Sequence, residues 1–154
     1  MAAGAGRIVG LAPFALVFVA PGAVEITPDT VWNSAAREAL PTWVQVWIYS
    51  MFISFGSGLL FVRTHPEAWW MVGAFAASHL ASGLVILLLG PERLTIGVVA
   101  INHCIFWTPA TVLFARKTRT TPFASPFGAW RGVVIVTAVF SLIFDYRDAV
   151  AFLS

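Results

Sequence analysis

Residues 99–114 read VAINHCIFWTPATVLF. With its flanks, 94–98 and 115, this stretch is long and apolar enough to cross a bilayer, which takes about 20 mostly apolar residues. It nevertheless carries Asn102, His103, Trp107 and Pro109. An amide and an imidazole side by side near the middle of a lipid-embedded helix are costly. They serve there either to tie helices together or as part of a functional site.

The composition of the whole chain agrees with a membrane setting. Of 154 residues, 59% are hydrophobic and 10% charged, against about 25% charged in a soluble domain, and the mean hydropathy is +0.86. The net charge of +2 comes from Lys and Arg at segment ends, where they orient a membrane protein rather than bind a polyanion. Nucleic acid is therefore not an expected partner, and the lipid bilayer is. The single cysteine, Cys104, excludes an intramolecular disulfide and any cysteine-cluster metal site.

Outward from 99–114, apolar stretches predict spans at about 8–24, 43–63, 68–89, 94–115 and 129–153. The first also has the length of a signal peptide, but FVAPGAV, residues 18–24, offers no good cleavage site. The expected fold is an all-α, polytopic bundle of five transmembrane helices in one domain, the alternative being four plus a cleaved N-terminal segment. With the N-terminus cytoplasmic, Arg7, the Arg63–Glu67 turn, Arg116, Lys117, Arg119 and Arg131 fall inside, and the C-terminus falls on the outer side. This follows the positive-inside rule. In the first outer loop, Asp29 or Thr30 can cap a short interfacial helix over about 30–40, with Val31, Trp32, Ala35, Ala36, Ala39 and Leu40 on its apolar face and Pro41 ending it.

Small residues form rows on the expected helices. Ser50, Ser54 and Ser57 share a face of one, and on the next Gly73, Ala77 and Ala81 follow one four-residue row while Ser78 and Ser82 follow another. Such rows let helices approach closely in lipid.

His79 and His103 stand twelve residues to either side of Pro91 in the turn GPER, residues 90–93. Antiparallel helices joined there carry both imidazoles at about the same depth. Helices so tightly connected pack about 8–10 Å apart, which leaves little room for a haem between the histidines. Trp107 lies one turn beyond His103, and Pro109 frees a backbone carbonyl nearby. His79, Asn102, His103 and Trp107 are accordingly the candidate ligand-binding residues: a few polar groups in an apolar surround, the usual make-up of a small-molecule pocket. The plain alternative is that they tie helices together.

Only thirteen residues separate Arg131 from Asp145, about 20 Å of helix against a hydrocarbon core of about 30 Å. The apolar tail Ala149 to Leu153 implies that the helix continues, carrying Asp145, Arg147 and Asp148 as a charge cluster at the outer rim. Charges at that level need partners, and Glu25, Arg37, Glu92 and Arg93 are candidates. Two His and two Asp have no spacing diagnostic of a metal site, and no motif names a cofactor. There is no HExxH, GxSxG, P-loop or dinucleotide turn.

The phrase FWTPATVLF, 106–114, together with seven Trp, superficially resembles the translocator protein family of small five-helix membrane proteins. The resemblance extends to that phrase, the size and the helix count. The phrase falls in a different helix from that family's middle-span pattern, so it carries no function over. From the residues themselves the expected function is binding or passing a small apolar or protonatable ligand in an intramembrane pocket near His79 and His103. One alternative is an accessory or assembly subunit docked on a membrane-protein partner or a second copy of itself. The other is a small membrane enzyme using His103 with Asp145 or Asp148.

Overall fold

The computed structural model describes residues 41–154, so the expected first span and interfacial helix lie outside the described residues. Four helices follow. The first, α1 (Thr42–Gly56), tightens into a 3-10 turn over Ser57–Leu60. A second 3-10 turn, Pro66–Ala68, leads into α2 (Trp69–Leu89), which is followed by α3 (Ile96–Lys117) and α4 (Pro126–Leu153). Each is long and apolar enough to cross a membrane, the segments being Thr42–Leu60, Pro66–Leu89, Ile96–Lys117 and Pro126–Leu153. They coincide with the four later spans expected from sequence. Large apolar side chains such as Ile53, Leu80, Leu87, Ile105, Val136 and Val150 face outward on all four helices, as they do where the surround is hydrocarbon.

Local chemistry sets the ends. The Thr95 hydroxyl accepts a hydrogen bond from the Val98 N–H at 3.5 Å, and Ser125 Oγ accepts one from the Gly128 N–H at 3.0 Å, with Pro126 in the first position of α4. Serine followed by proline is a strong helix start. It explains why α4 begins at Pro126 rather than near 129. Gly90, at φ 95°, ends α2 in a conformation that side chains disfavour and turns the chain into Pro91–Arg93. At the other extreme, α4 runs unbroken through Asp145 to Leu153. The short-span problem is thus resolved by continuation, and the helix, about 42 Å long, exceeds the hydrocarbon thickness.

In the bundle, α3 is flanked by α2 and α4, and α1 closes the fourth side against both. Phe55, Met71, Trp107, Phe114, Val134 and Ala138 form the centre of the core and are fully buried. Where α1 tightens, the Ser54 carbonyl accepts from Trp130 Nε1–H at 2.7 Å and from the Ser57 hydroxyl at 3.1 Å. That bond to the indole fixes α1 to α4. The α1–α2 connection is pinned to the start of α4 by the His65 ring, stacked on Phe127 at 3.8 Å. Near the opposite end, the backbone at Gly97 lies directly against Phe152, so that a side chain there would collide with the ring. This close approach draws α3 and α4 together on the flank that carries the polar residues.

The two small-residue rows of α2 have different roles. Ser78 and Ser82 face α3 and bond to it. Among the described residues, nothing lies within 4 Å of where a Cβ on Gly73 would stand. Gly73 and Ala77, of the other row, line a shallow groove.

Candidate functional site

Two cross-helix hydrogen bonds set the register of α2 and α3. Asn102 Nδ2–H donates to Ser82 Oγ at 3.2 Å, and Trp107 Nε1–H donates to Ser78 Oγ at 2.9 Å. Both pairs are centred close to residue 92, about one residue from the Pro91 pivot, so the two histidines lie at nearly the same depth. They are turned to different neighbours. His79 donates from Nδ1 to the Phe75 carbonyl one turn back, at 2.8 Å, and packs edge-on to Phe52 of α1 at 5.3 Å. His103 is directed toward α4 and donates from Nδ1 to Asp145 Oδ2 at 3.1 Å.

A chain of ring contacts joins the imidazoles: His79 to Phe75 at 4.2 Å, Phe75 to Trp107 at 6.0 Å, and Trp107 to His103 at 4.1 Å with the planes 18° apart. Trp107 is completely buried and serves as a fixed floor for the His103 ring. Its N–H is satisfied by Ser78, whose own hydroxyl donates to the Phe75 carbonyl at 2.9 Å. This part of the network leaves no buried donor unpaired, which is the condition for a rigid polar element in an apolar interior.

His103 is thus held on two sides, by an indole against its face and a carboxylate at Nδ1. A carboxylate only accepts, so the neutral imidazole carries its proton on Nδ1 and offers a lone pair at Nε2. Among the described residues Nε2 has no hydrogen-bond partner. The side chains of His103 and Asp145 are 15% and 16% exposed, so the pair is mostly buried in the α3–α4 seam but not sealed within it. An orienting carboxylate, a fixed ring and a bare Nε2 make an acceptor for a proton, for a ligand N–H or O–H, or for a metal ion. Just outside the dyad, Thr108 Oγ1 and Tyr146 OH share a hydrogen bond at 2.9 Å.

The sequence-derived candidates therefore divide. His103 and Trp107 come together, and they bring in Ser78 and Asp145. Asn102 lies in the α2–α3 seam on Ser82, and His79 lies toward α1. The charge cluster divides as well: Asp145 turns inward to His103, while Arg147 folds onto its neighbour Asp148, with Nε–H and Nη2–H donating to Oδ1 at 2.9 and 2.7 Å. Among the described residues neither Glu92 nor Arg93 joins them, because a guanidinium adjacent in sequence supplies Asp148 with a counter-charge without crossing to another loop. The sequence marks Ser78 only by its place in the small-residue row, and nothing there signals its role as acceptor for Trp107.

Compared with protein families, with curated proteins and with solved structures, the chain matches none.

Proposed function

We propose that this chain is a small multi-pass membrane protein that binds or passes a small apolar or protonatable ligand at the His103–Asp145 dyad, with Nε2 of His103 as the accepting atom. The observation that carries this is the Nδ1–H to Oδ2 bond at 3.1 Å, with Nε2 left without a partner among the described residues. A histidine serving only to tie α3 to α4 needs no second ring nitrogen in reserve, whereas a ligand or proton acceptor does. Trp107 fixes the ring, and His79, at the same depth beyond Phe75, is a second imidazole with its Nδ1 engaged. The proposal includes a fifth span at 8–24 and a cytoplasmic N-terminus. The length of that segment and the gathering of Arg63, Arg116, Lys117, Arg119 and Arg131 toward one end of the bundle support this.

The test is to purify the full chain in mild detergent and record an absorption spectrum, a metal analysis and a native mass spectrum, with His103→Ala and Asp145→Asn alongside. A small molecule or ion that accompanies the wild type, weakens with Asp145→Asn and is missing from His103→Ala supports the proposal. A chain that carries only stoichiometric protein partners, unchanged by either substitution, refutes it and leaves an accessory subunit.

A second reading is favoured by one specific contact. Of the two aspartates considered as partners for an acid–base histidine, Asp145 is the one bonded to His103, and a carboxylate-oriented imidazole is a general base in form. Turnover of a bound small molecule by the purified chain, lost in His103→Ala, would move the protein from binder to enzyme.

A further inference from the structure

On the outward face of α2 and α3, away from α1, lies an apolar groove of about 290 Å³, and Trp69, Trp70, Gly73, Ala77, Pro109 and Leu113 line most of it. Among the described residues its floor is open, because the row Trp69, Gly73, Ala77 presents no bulk between its first and last turns and a Cβ at Gly73 would meet nothing of them within 4 Å. From Trp69 to Ala77 the groove runs about 12 Å along the helix, close to the depth of one leaflet of a hydrocarbon core of about 30 Å. One end has headgroup chemistry. Trp69 and Trp70, both half exposed, stand at the start of α2, and tryptophans in that position lie at the membrane–water interface. Arg116 and Lys117 follow Leu113 by three and four residues on α3, so they extend the same face one turn beyond the groove. Both are exposed and have no ion-pair partner among the described residues.

We infer that this groove is a binding site for one anionic phospholipid, with an acyl chain along Gly73 and Ala77, the glycerol at Trp69 and Trp70, and the phosphate against Arg116 and Lys117. The charge complementarity selects the occupant. An apolar groove alone accepts any acyl chain, but two exposed cations at its mouth favour an anionic headgroup, and basic pockets between helices on the cytoplasmic side bind such lipids. The inference is independent of the His103–Asp145 dyad, which lies in the seam between α3 and α4.

The test is native mass spectrometry of the full chain in detergent, supplied with phosphatidylglycerol or phosphatidylcholine bearing identical acyl chains. The wild type should retain one phosphatidylglycerol with a preference of about thirtyfold, the factor two cationic contacts of ordinary size supply. Arg116→Gln/Lys117→Gln should bring that preference close to one, while Arg119→Gln, at the same end but off the groove, should leave it unchanged. Gly73→Leu, whose side chain has room among the described residues, should fill the groove and abolish retention of both lipids, and Ala77→Leu should do the same from the next turn. Equal retention of the two lipids by the wild type, retention of neither, loss of preference with Arg119→Gln as large as with the pair, or full retention in both leucine variants would each overturn the assignment.

Discussion

Removing His103 and neutralising Asp145 are unequal perturbations, and the inequality measures whether the two act on each other. Asp145→Asn keeps the volume of the side chain and leaves an oxygen for His103 Nδ1–H. What it loses is the difference between a charge-assisted and a neutral hydrogen bond, about 1 kcal/mol. That loss is offset by no longer holding a carboxylate at a position 16% exposed. His103→Leu fills the seam with apolar bulk but leaves the carboxylate without its donor. Orphaning one member of a buried pair costs about 3–5 kcal/mol, and the residual exposure of Asp145 brings this toward about 2–3. Reversible unfolding in mixed micelles, followed by tryptophan fluorescence, should therefore place Asp145→Asn within about 1 kcal/mol of wild type, His103→Leu well below it, and His103→Leu/Asp145→Asn back near Asp145→Asn alone. If the double variant instead shows the plain sum of the single effects, the two residues are not coupled and the dyad is not the element described above.

Two further outcomes follow from the same network. Ser78→Ala leaves the N–H of a completely buried indole without an acceptor and should cost about 1–3 kcal/mol, whereas adding it to Trp107→Phe should cost almost nothing more, because the Ser78 hydroxyl is also held by the Phe75 carbonyl; a double-mutant unfolding cycle reads the coupling, and a neutral Ser78→Ala would contradict the bond. Nitrogen-15 spectra of imidazole-labelled chain should show the neutral His103 ring protonated at Nδ1 and bare at Nε2, with Asp145→Asn mixing the two tautomers since an amide can donate as well as accept; a wild-type ring protonated at Nε2 would refute the geometry.

Much of this architecture was legible in the chain. The four described spans follow from continuous apolar length, and the depth match of His79 and His103 follows from counting outward from Pro91, because GPER is so short that little can shift between α2 and α3. The same counting fails for His103 and Asp145. His103 lies fourteen residues before the end of α3 and Asp145 nineteen residues after the start of α4. Measured from the helix ends, this misplaces them by about 7 Å, and only the way residues 118–125 cross between the helices removes the offset. Rotation was equally hidden. With apolar residues around most of each helix, no hydrophobic stripe tells which edge of α3 meets α4, and the contact of Gly97 with Phe152 that fixes it is a single glycine in sequence. The pairing within the rim cluster was hidden too: Asp145 and Asp148 lie one turn apart on the same side of α4, and spacing alone does not tell that the first meets His103 while the second takes Arg147.

The dyad is not what holds α3 to α4. Trp130, Val134, Ala138 and Leu142 of α4 lie in one apolar core with Trp107, Ala110 and Phe114 of α3, and Gly97 admits Phe152 at the far end. A seam so well filled has little to gain from an imidazole and a carboxylate, since apolar residues of similar volume at such a site are often neutral or stabilising. Nor does the pair set the register of α2 and α3, which Ser78 and Ser82 already fix at modest cost in neutral hydrogen bonds. A mostly buried His–Asp pair whose Nε2 has no partner among the described residues is thus more chemistry than cohesion requires, and that surplus is why the proposal rests on His103 rather than on Asn102 or His79.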